Sequence, residues 1–312
     1  MSGAHANQQG FDPLGVVPLG RTELQISRLG LGTAPMATYF WGNDAATGIA
    51  TAARAVERGI RLFDTAPLYG LGEAELRLGT ALPSDRQSFV VASKVGRLLM
   101  PGGDGAIEPV FDFSGDAVRA SLESSLLRLG LDRIDIVHVH DPDDHLPAAF
   151  EGAYPALIDL RQQGVIGAVS LGTNSVATAT AVLERVELDS MLVAGRLTLL
   201  DQSALDLVAR CRQRGVGYLA AGVFNSGVLA RPHQGWYDYG PATREVLERV
   251  AALERACGRH RVPLATAALA YPLTVEGVTG VVVGMSTPSE VDANIAALEE
   301  PITPDLWESL DL

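Results

Sequence analysis

Cysteine is nearly missing from this 312-residue chain: only Cys211 and Cys257 occur, both in stretches that read as helices. That excludes a disulfide framework and a thiolate metal site, and it fits a reducing cytoplasm. Positive charge is scarce too, with 24 lysines and arginines against 37 aspartates and glutamates and a formal net charge of −13. Nucleic acid and anionic membrane surfaces need a positive field, so neither is an expected partner. No apolar run reaches the ~18 residues of a membrane span. The first dozen residues lack the basic and apolar regions of a signal peptide. Met1 to Asp12 therefore read as a loose, flexible tail ahead of one domain over residues 13–312. There is no short-period repeat and no low-complexity segment.

What the chain does have is an apolar fraction of 47%, enough for a large core, and one repeating rhythm. Val16 to Leu19 and Glu23 to Ile26 flank Gly20 and Arg21, which predicts a β-hairpin before the main fold. From Arg28 onward a short apolar run, a loop and an amphipathic segment alternate. The strand candidates are Leu29 to Gly32, Arg61 to Asp64, Phe89 to Lys94, Ile134 to His140, Val165 to Leu171, Met191 to Ala194, Gly217 to Ala220 and Gly280 to Val283. The helix candidates between them are Ala45 to Arg58, Glu73 to Leu82, Asp116 to Leu129, Pro147 to Gln163, Val176 to Val186, Ser203 to Arg214, Ala242 to Arg261 with Leu264 to Leu273, and Pro288 to Ala297. Near-continuous apolar strands call for a parallel sheet covered by helices, and eight units make an α/β fold of the closed (β/α)8 TIM-barrel type the economical solution. The competing doubly wound sheet needs G-x-G-x-x-G after its first strand. Gly30, Gly32 and Ala34 start such a run, but Pro35 to Gly42 form a loop where the helix should begin.

Three connections are long: Ala34 to Asn43, Val95 to Gly115 and Gly222 to Gly240. All follow the C-terminal end of a strand, where barrels place their sites. Their aromatic residues, among them Trp41, Phe111, Phe113, Trp236 and Tyr239, either wall a polar small-molecule pocket or simply anchor the loops.

Candidate strands end in Asp64, Lys94 and His140. Neighbouring strands lie ~4.8 Å apart, so these side chains meet at one rim, with Tyr69 hanging over them from the loop RLFDTAPLYGLG. Such a group suits proton transfer coupled to hydride transfer at a carbonyl or alcohol. A free phenol has a pKa of ~10, and a buried ammonium beside it is expected to lower that value. In this reading Tyr69 is the general acid/base, Lys94 its tuner, Asp64 the partner of Lys94, and His140 a hydrogen-bond donor to the reacting oxygen. The bland alternatives are a rim ion pair for Asp64 and Lys94 and a turn histidine for His140. His138-x-His140 also has the spacing of paired metal ligands in a barrel hydrolase, since both share a strand face. Such sites need further histidines on later strands; beyond His145 only His233 and His260 follow, so no metal is expected and His138 reads as packed interior.

FDTAPLYG, ASKVG and IDIVHVHDPDD resemble the three catalytic stretches of the aldo-keto reductase superfamily, in order and on the matching strands. The resemblance implies that Asp64, Tyr69, Lys94 and His140 are the catalytic tetrad, and that the reaction is reversible hydride transfer between NAD or NADP and a carbonyl/alcohol pair. VHDPDDH and AGRLTLLDQ look most like sugar 1-dehydrogenases acting on L-fucose, D-arabinose or L-galactose, which oxidise the hemiacetal carbon to a lactone, and like pyridoxal 4-dehydrogenases. A general aldehyde reductase is a further alternative. The same resemblance implies cofactor contacts at Thr33, at Thr173 and Asn174 for the carboxamide, along Gly222 to Gly227 for the pyrophosphate, at Gly284, Ser286 and Thr287 for a phosphate or ribose oxygen, and at Asn294 for adenine. Trp41 is the candidate substrate contact. Two positions depart from the pattern: the aromatic that stacks on the nicotinamide is Leu197 and the neighbouring glutamine is Ala194, so Arg196 is expected to compensate. Glu290, with no lysine or arginine at the matching ribose positions, favours NAD, because a carboxylate repels a 2′-phosphate and accepts from a 2′-hydroxyl.

Overall fold

The computed structural model describes residues 10–38, 42–103, 105–232, 235–310 and 312. Trp41, the expected substrate contact, lies outside the described residues, as do Tyr39, Phe40 and His233.

The chain opens with a hairpin, β1 (Val16–Pro18) and β2 (Gln25–Ser27), paired antiparallel. Eight parallel strands then close a barrel: β3 (Leu29–Gly32), β4 (Leu62–Asp64), β5 (Val90–Val95), β8 (Ile134–His140), β9 (Ile166–Thr173), β10 (Ser190–Ala194), β11 (Gly217–Ala221) and β14 (Val278–Gly284). The strand following β14 around the ring is β3, which closes it. Helices lie between strands and are started by local chemistry. Asp44, Ser114, Ser175, Thr243 and Thr287 each accept the N–H three residues on, starting the helices Ala45–Arg58, Gly115–Leu129, Val176–Arg185, Arg244–Arg259 and Pro288–Glu299. The helix expected over Pro147 to Gln163 contains a wider π turn at Ala149–Ala153 before continuing as Tyr154–Gln162.

Both strand faces are buried, as parallel strands require. One apolar layer packs outward against the helices. The other fills the barrel, where Leu62, Val90, Ala92, Ile136, Ala168, Leu192, Leu219 and Val282 meet Leu19 and Ile26 of the hairpin segment. Leu19 and Ile26 are fully buried, and each such side chain contributes about 1.5–3 kcal/mol. The hairpin is therefore a plug for the barrel floor. Asp12, within the stretch read as a tail, accepts the Gly15 N–H, and Phe11 packs against the core.

The expected loop Val95 to Gly115 is mostly a second hairpin, β6 (Arg97–Pro101) against β7 (Ile107–Phe111). Sequence patterning conceals it because β7 is exposed along its whole length and carries no burial alternation. Phe113 is buried beneath it, so it anchors rather than lines. A two-residue pairing, β12 (Trp236–Tyr237) with β13 (Gly240–Pro241), sits in the third long connection. A short final helix, Pro304–Ser309, was not foreseen from the pattern. Among the described residues no helix is long and apolar enough to cross a membrane.

Candidate active site

β4, β5 and β8 are consecutive in the barrel wall, and the register sets Gly32 beside Asp64 and Lys94 beside His138. Lys94 reaches across to Asp64, with Nζ 2.7 Å from both carboxylate oxygens, and donates to the Thr65 carbonyl at 2.8 Å. Only 2% of Lys94 and 4% of Asp64 remain exposed. Burial alone pushes the Asp64 carboxyl up and the Lys94 ammonium down. Burial is the largest single influence on each, but the partner's charge and hydrogen bonds, joined by His138 at Asp64 and by Tyr69 at Lys94, together outweigh it, so the carboxyl lies below its ordinary value and the ammonium above. Both stay charged. Lys94 is also the only lysine among the 24 cationic residues of the chain.

Tyr69 lies over this pair, the Lys94 ammonium 4.8 Å from its ring centroid. The expectation of a lowered phenol pKa is corrected here. Burial is the largest influence and raises it, the Lys94 charge lowers it, Asp64 raises it again, and the net is about 12. His140 presents its ring edge-on to Tyr69, centroids 6.1 Å apart at 89°. Burial, then the charges of Lys94 and Arg97, hold His140 well below the usual imidazole range, so it is neutral at pH 7. The four side chains singled out in the sequence thus meet at one rim. His138 lies behind them, fully buried, with Nδ1 2.8 Å from the Ser170 hydroxyl and Nε2 3.4 Å from Asp64. Among the described residues no group of three or more His, Cys, Asp and Glu is arranged to hold a metal ion. Of the other buried carboxylates, Asp135 and Asp189 belong to the opposite end, accepting the Val91 and Val169 N–H groups, while Glu75 accepts from the Ser93 hydroxyl behind the barrel wall; each sits beside an arginine.

Around the rim, buried polar atoms lack partners. Thr33 is fully buried after β3 with its hydroxyl unpaired, Thr65 likewise after β4, and the Asn225 side-chain amide oxygen is buried and unpaired in the Gly222–Gly227 stretch. Unpaired buried polar groups are rare and mark places where a ligand or water completes the bonding. Gly222 (φ +61°) sits where a Cβ would be 2.9 Å from the Gly195 nitrogen, while Gly227 (φ +98°) faces open space. At Gly284 a Cβ would press on Pro35 at 2.8 Å. Such a glycine-lined, polar rim fits a dinucleotide, whose phosphates and carboxamide need close backbone approach and free donors.

Other expected contacts are engaged within the protein. Thr173 accepts the Ser175 N–H. Arg196 donates to the Asn174 carbonyl at 2.6 Å and pairs with Asp201 and Asp238, so it braces the loop holding β12 and β13. Thr287 caps the helix Pro288–Glu299. Glu290 accepts the Ser286 N–H at 2.6 Å and pairs with Arg231 at 2.8 Å. Arg231 is the residue that sequence reasoning missed: it comes from a different loop, and no spacing links it to Glu290. Asn294 lies partly exposed on the same helix.

A cavity of about 260 Å³ opens at this rim, lined by Arg97, Phe111, Asp141, Asp143, His145 and Asn174 among others. Arg97 and Asp141 were also missed. Asp141 could have been flagged by its place next to His140. Arg97 carries no signal without the β6–β7 hairpin.

Comparison with known proteins matches residues 28–312 to the Aldo/keto reductase family model. A D-threo-aldose 1-dehydrogenase of Pseudomonas sp. is 38% identical over 310 residues, covering 92% of this chain and 94% of its own. A pyridoxal 4-dehydrogenase of Microbacterium luteolum is 35% identical over 325 residues, with 94% and 95% covered. Among solved structures, an aldo-keto reductase from Bacillus halodurans in its holo form superposes with a TM-score of 0.80 at 26% identity, covering 95% of this chain and 94% of that one.

Proposed function

The chain belongs to the aldo/keto reductase family, and on that premise we propose that it oxidises C1 of a cyclic aldose of the L-fucose, D-arabinose or L-galactose type to the lactone. The observation that carries the redox part of this reading is the buried Lys94–Asp64 pair beneath Tyr69, with neutral His140 edge-on to the phenol; the aldose part is supported by the likeness to the D-threo-aldose 1-dehydrogenase. A bound nicotinamide dinucleotide supplies the hydride acceptor, or the donor in the reverse reaction. The Tyr69 oxygen takes the proton of the C1 hydroxyl as the C–H bond breaks, and returns it in reduction. Lys94 holds its positive charge beside that oxygen. His140, uncharged, offers one N–H to the reacting oxygen and so orients it. Thr33, Asn174 and the Gly222–Gly227 and Gly284–Thr287 stretches would hold the dinucleotide.

The test is a panel of aldoses, pyridoxal and simple aldehydes with NAD and NADP, read as absorbance of the reduced nicotinamide. Aldoses are expected to give the highest kcat/KM. A preference for pyridoxal would move the assignment to the 4-dehydrogenase chemistry of the Microbacterium relative.

NAD is the expected dinucleotide. Glu290 supports this in a way that the sequence did not disclose, since it both places a carboxylate near the helix start and neutralises Arg231. Glu290→Gln removes that charge and leaves the Arg231 guanidinium available to a 2′-phosphate. The variant is expected to lower KM for NADP severalfold relative to NAD. A wild type that strongly prefers NADP, with a variant that does not alter the ratio, would remove the argument.

A further inference from the structure

We propose that Arg97, Asp141 and the exposed part of Phe111 form a hydroxyl-reading subsite that holds the ring of a polyhydroxylated monosaccharide beside the reacting centre. The inference rests on the aldose reading above and adds the residues that select that class.

The cavity these residues line, about 260 Å³, lies just below the ~300–1,000 Å³ of ordinary small-molecule pockets, which suits one sugar ring. Its link to the chemistry is direct: Asp141 Oδ2 is 3.6 Å from His140 Nε2. The backbone at Asp141 is held at φ +42°, a conformation most side chains avoid, while its N–H is tied to the Gly172 carbonyl. Strain of that kind persists where the surroundings impose it, and here it aims a carboxylate into the cavity mouth.

Arg97 donates to Asp141 from Nη2 at 2.6 Å, and its guanidinium lies 4.9 Å from the Phe111 ring centroid. Its Nε is buried without a hydrogen-bond partner, an expensive arrangement for a charged donor. Phe111 is 49% exposed even though its ring is also approached by His145 at 4.9 Å and Phe113 at 6.2 Å. A fixed donor, a fixed acceptor and a half-exposed aromatic ring match a sugar ring, whose hydroxyls both donate and accept and whose C–H groups are apolar. A simple aliphatic aldehyde offers none of these features. Neither Arg97 nor Phe111 belongs to a barrel strand; both are delivered by the β6–β7 hairpin, so substrate selection is shared between that hairpin and the residue that follows His140.

The experiment compares aldose oxidation with butanal reduction in the full-length enzyme, wild type and Asp141→Asn, Arg97→Gln and Phe111→Ala. Asparagine tolerates the left-handed backbone, so Asp141→Asn removes charge without unfolding the turn. The ratio of kcat/KM for the aldose to that for butanal is expected to fall about 10- to 100-fold in Asp141→Asn and Arg97→Gln, mostly through KM, as for loss of a hydrogen bond to a charged group. Phe111→Ala, on an exposed strand, gives the same direction with little risk to folding. A ratio that stays constant because both reactions fall together would overturn the subsite and leave the aldose reading standing. A wild type that reduces butanal but oxidises no aldose would overturn both.

Discussion

Tyr69→Phe is expected to lower turnover by about 10²- to 10⁴-fold while leaving the dissociation constant of the dinucleotide within about twofold of wild type. The size follows from the absence of a substitute at the same point. Lys94 commits its ammonium to both oxygens of Asp64 and to the Thr65 carbonyl, and His140 is kept uncharged by burial and by the cations nearby. Neither is set to deliver a proton to the reacting oxygen, so deleting one hydroxyl removes the donor without touching the residues expected to hold the cofactor. The pH dependence carries the same information. With the phenol pushed up to about 12, reduction needs the protonated form and should be flat in kcat/KM from pH 7 to about 10, falling only as pH approaches 12. Oxidation needs the phenol oxygen as proton acceptor and should rise over that range. Unchanged turnover in Tyr69→Phe, measured by stopped-flow and steady-state assays beside fluorescence titration of NADH, would reject Tyr69 as proton donor.

Lys94→Met is expected to abolish activity and to destabilise the fold by about 3–5 kcal/mol at pH 8, because it leaves the Asp64 carboxylate buried without its counter-charge. The pair makes the sign of the pH dependence specific. In wild type the Asp64 pKa is depressed, so its contribution is present above the unfolded carboxyl value of ~3.9 and is lost as pH falls through the lower folded value. The Lys94 pKa is raised, so its contribution is present below the unfolded ~10.4 and is lost as pH rises through the higher folded value. In Lys94→Met burial, the largest influence on Asp64, is opposed only by the weaker contacts with His138, so the carboxyl pKa rises above the unfolded value and lowering the pH now helps it. The stability gap from wild type, measured by urea unfolding, should therefore narrow between pH 8 and pH 5. The double variant Asp64→Asn/Lys94→Met, with no charge left to strand, should recover part of the loss. A gap that widens on acidification would mean that the pair is not coupled as its 2.7 Å contacts imply.

The eight barrel strands could be found in the sequence because a parallel strand covered on both faces is apolar at most positions, as β3 and β14 are, while β5 and β8 break their apolar runs only with the polar residues that serve the rim or pair behind it. Asp64, Lys94 and His140 were legible for the complementary reason: each is a titratable residue at or near the end of an otherwise apolar run, which the chain tolerates only where partners await it. Lys94 stands out further as the single lysine in a chain that otherwise uses arginine. Arginine carries a planar fork that cannot replace a compact ammonium set between two carboxylate oxygens and a carbonyl. The β6–β7 hairpin escaped notice because neither strand alternates between buried and exposed positions, and with it went Arg97 and the exposed part of Phe111.

By itself, then, the sequence determined the (β/α)8 barrel, the four side chains that converge at its rim and the family to which the chain belongs, since burial periodicity and strand order are local properties written into neighbouring residues. Only the tertiary structure decided the balance of fields on Tyr69, the pairing of Glu290 with Arg231 and the meeting of Arg97 with Asp141. Each of those depends on distance and desolvation between segments far apart in the chain, and energies that vary with separation and surrounding dielectric have no counterpart in linear order.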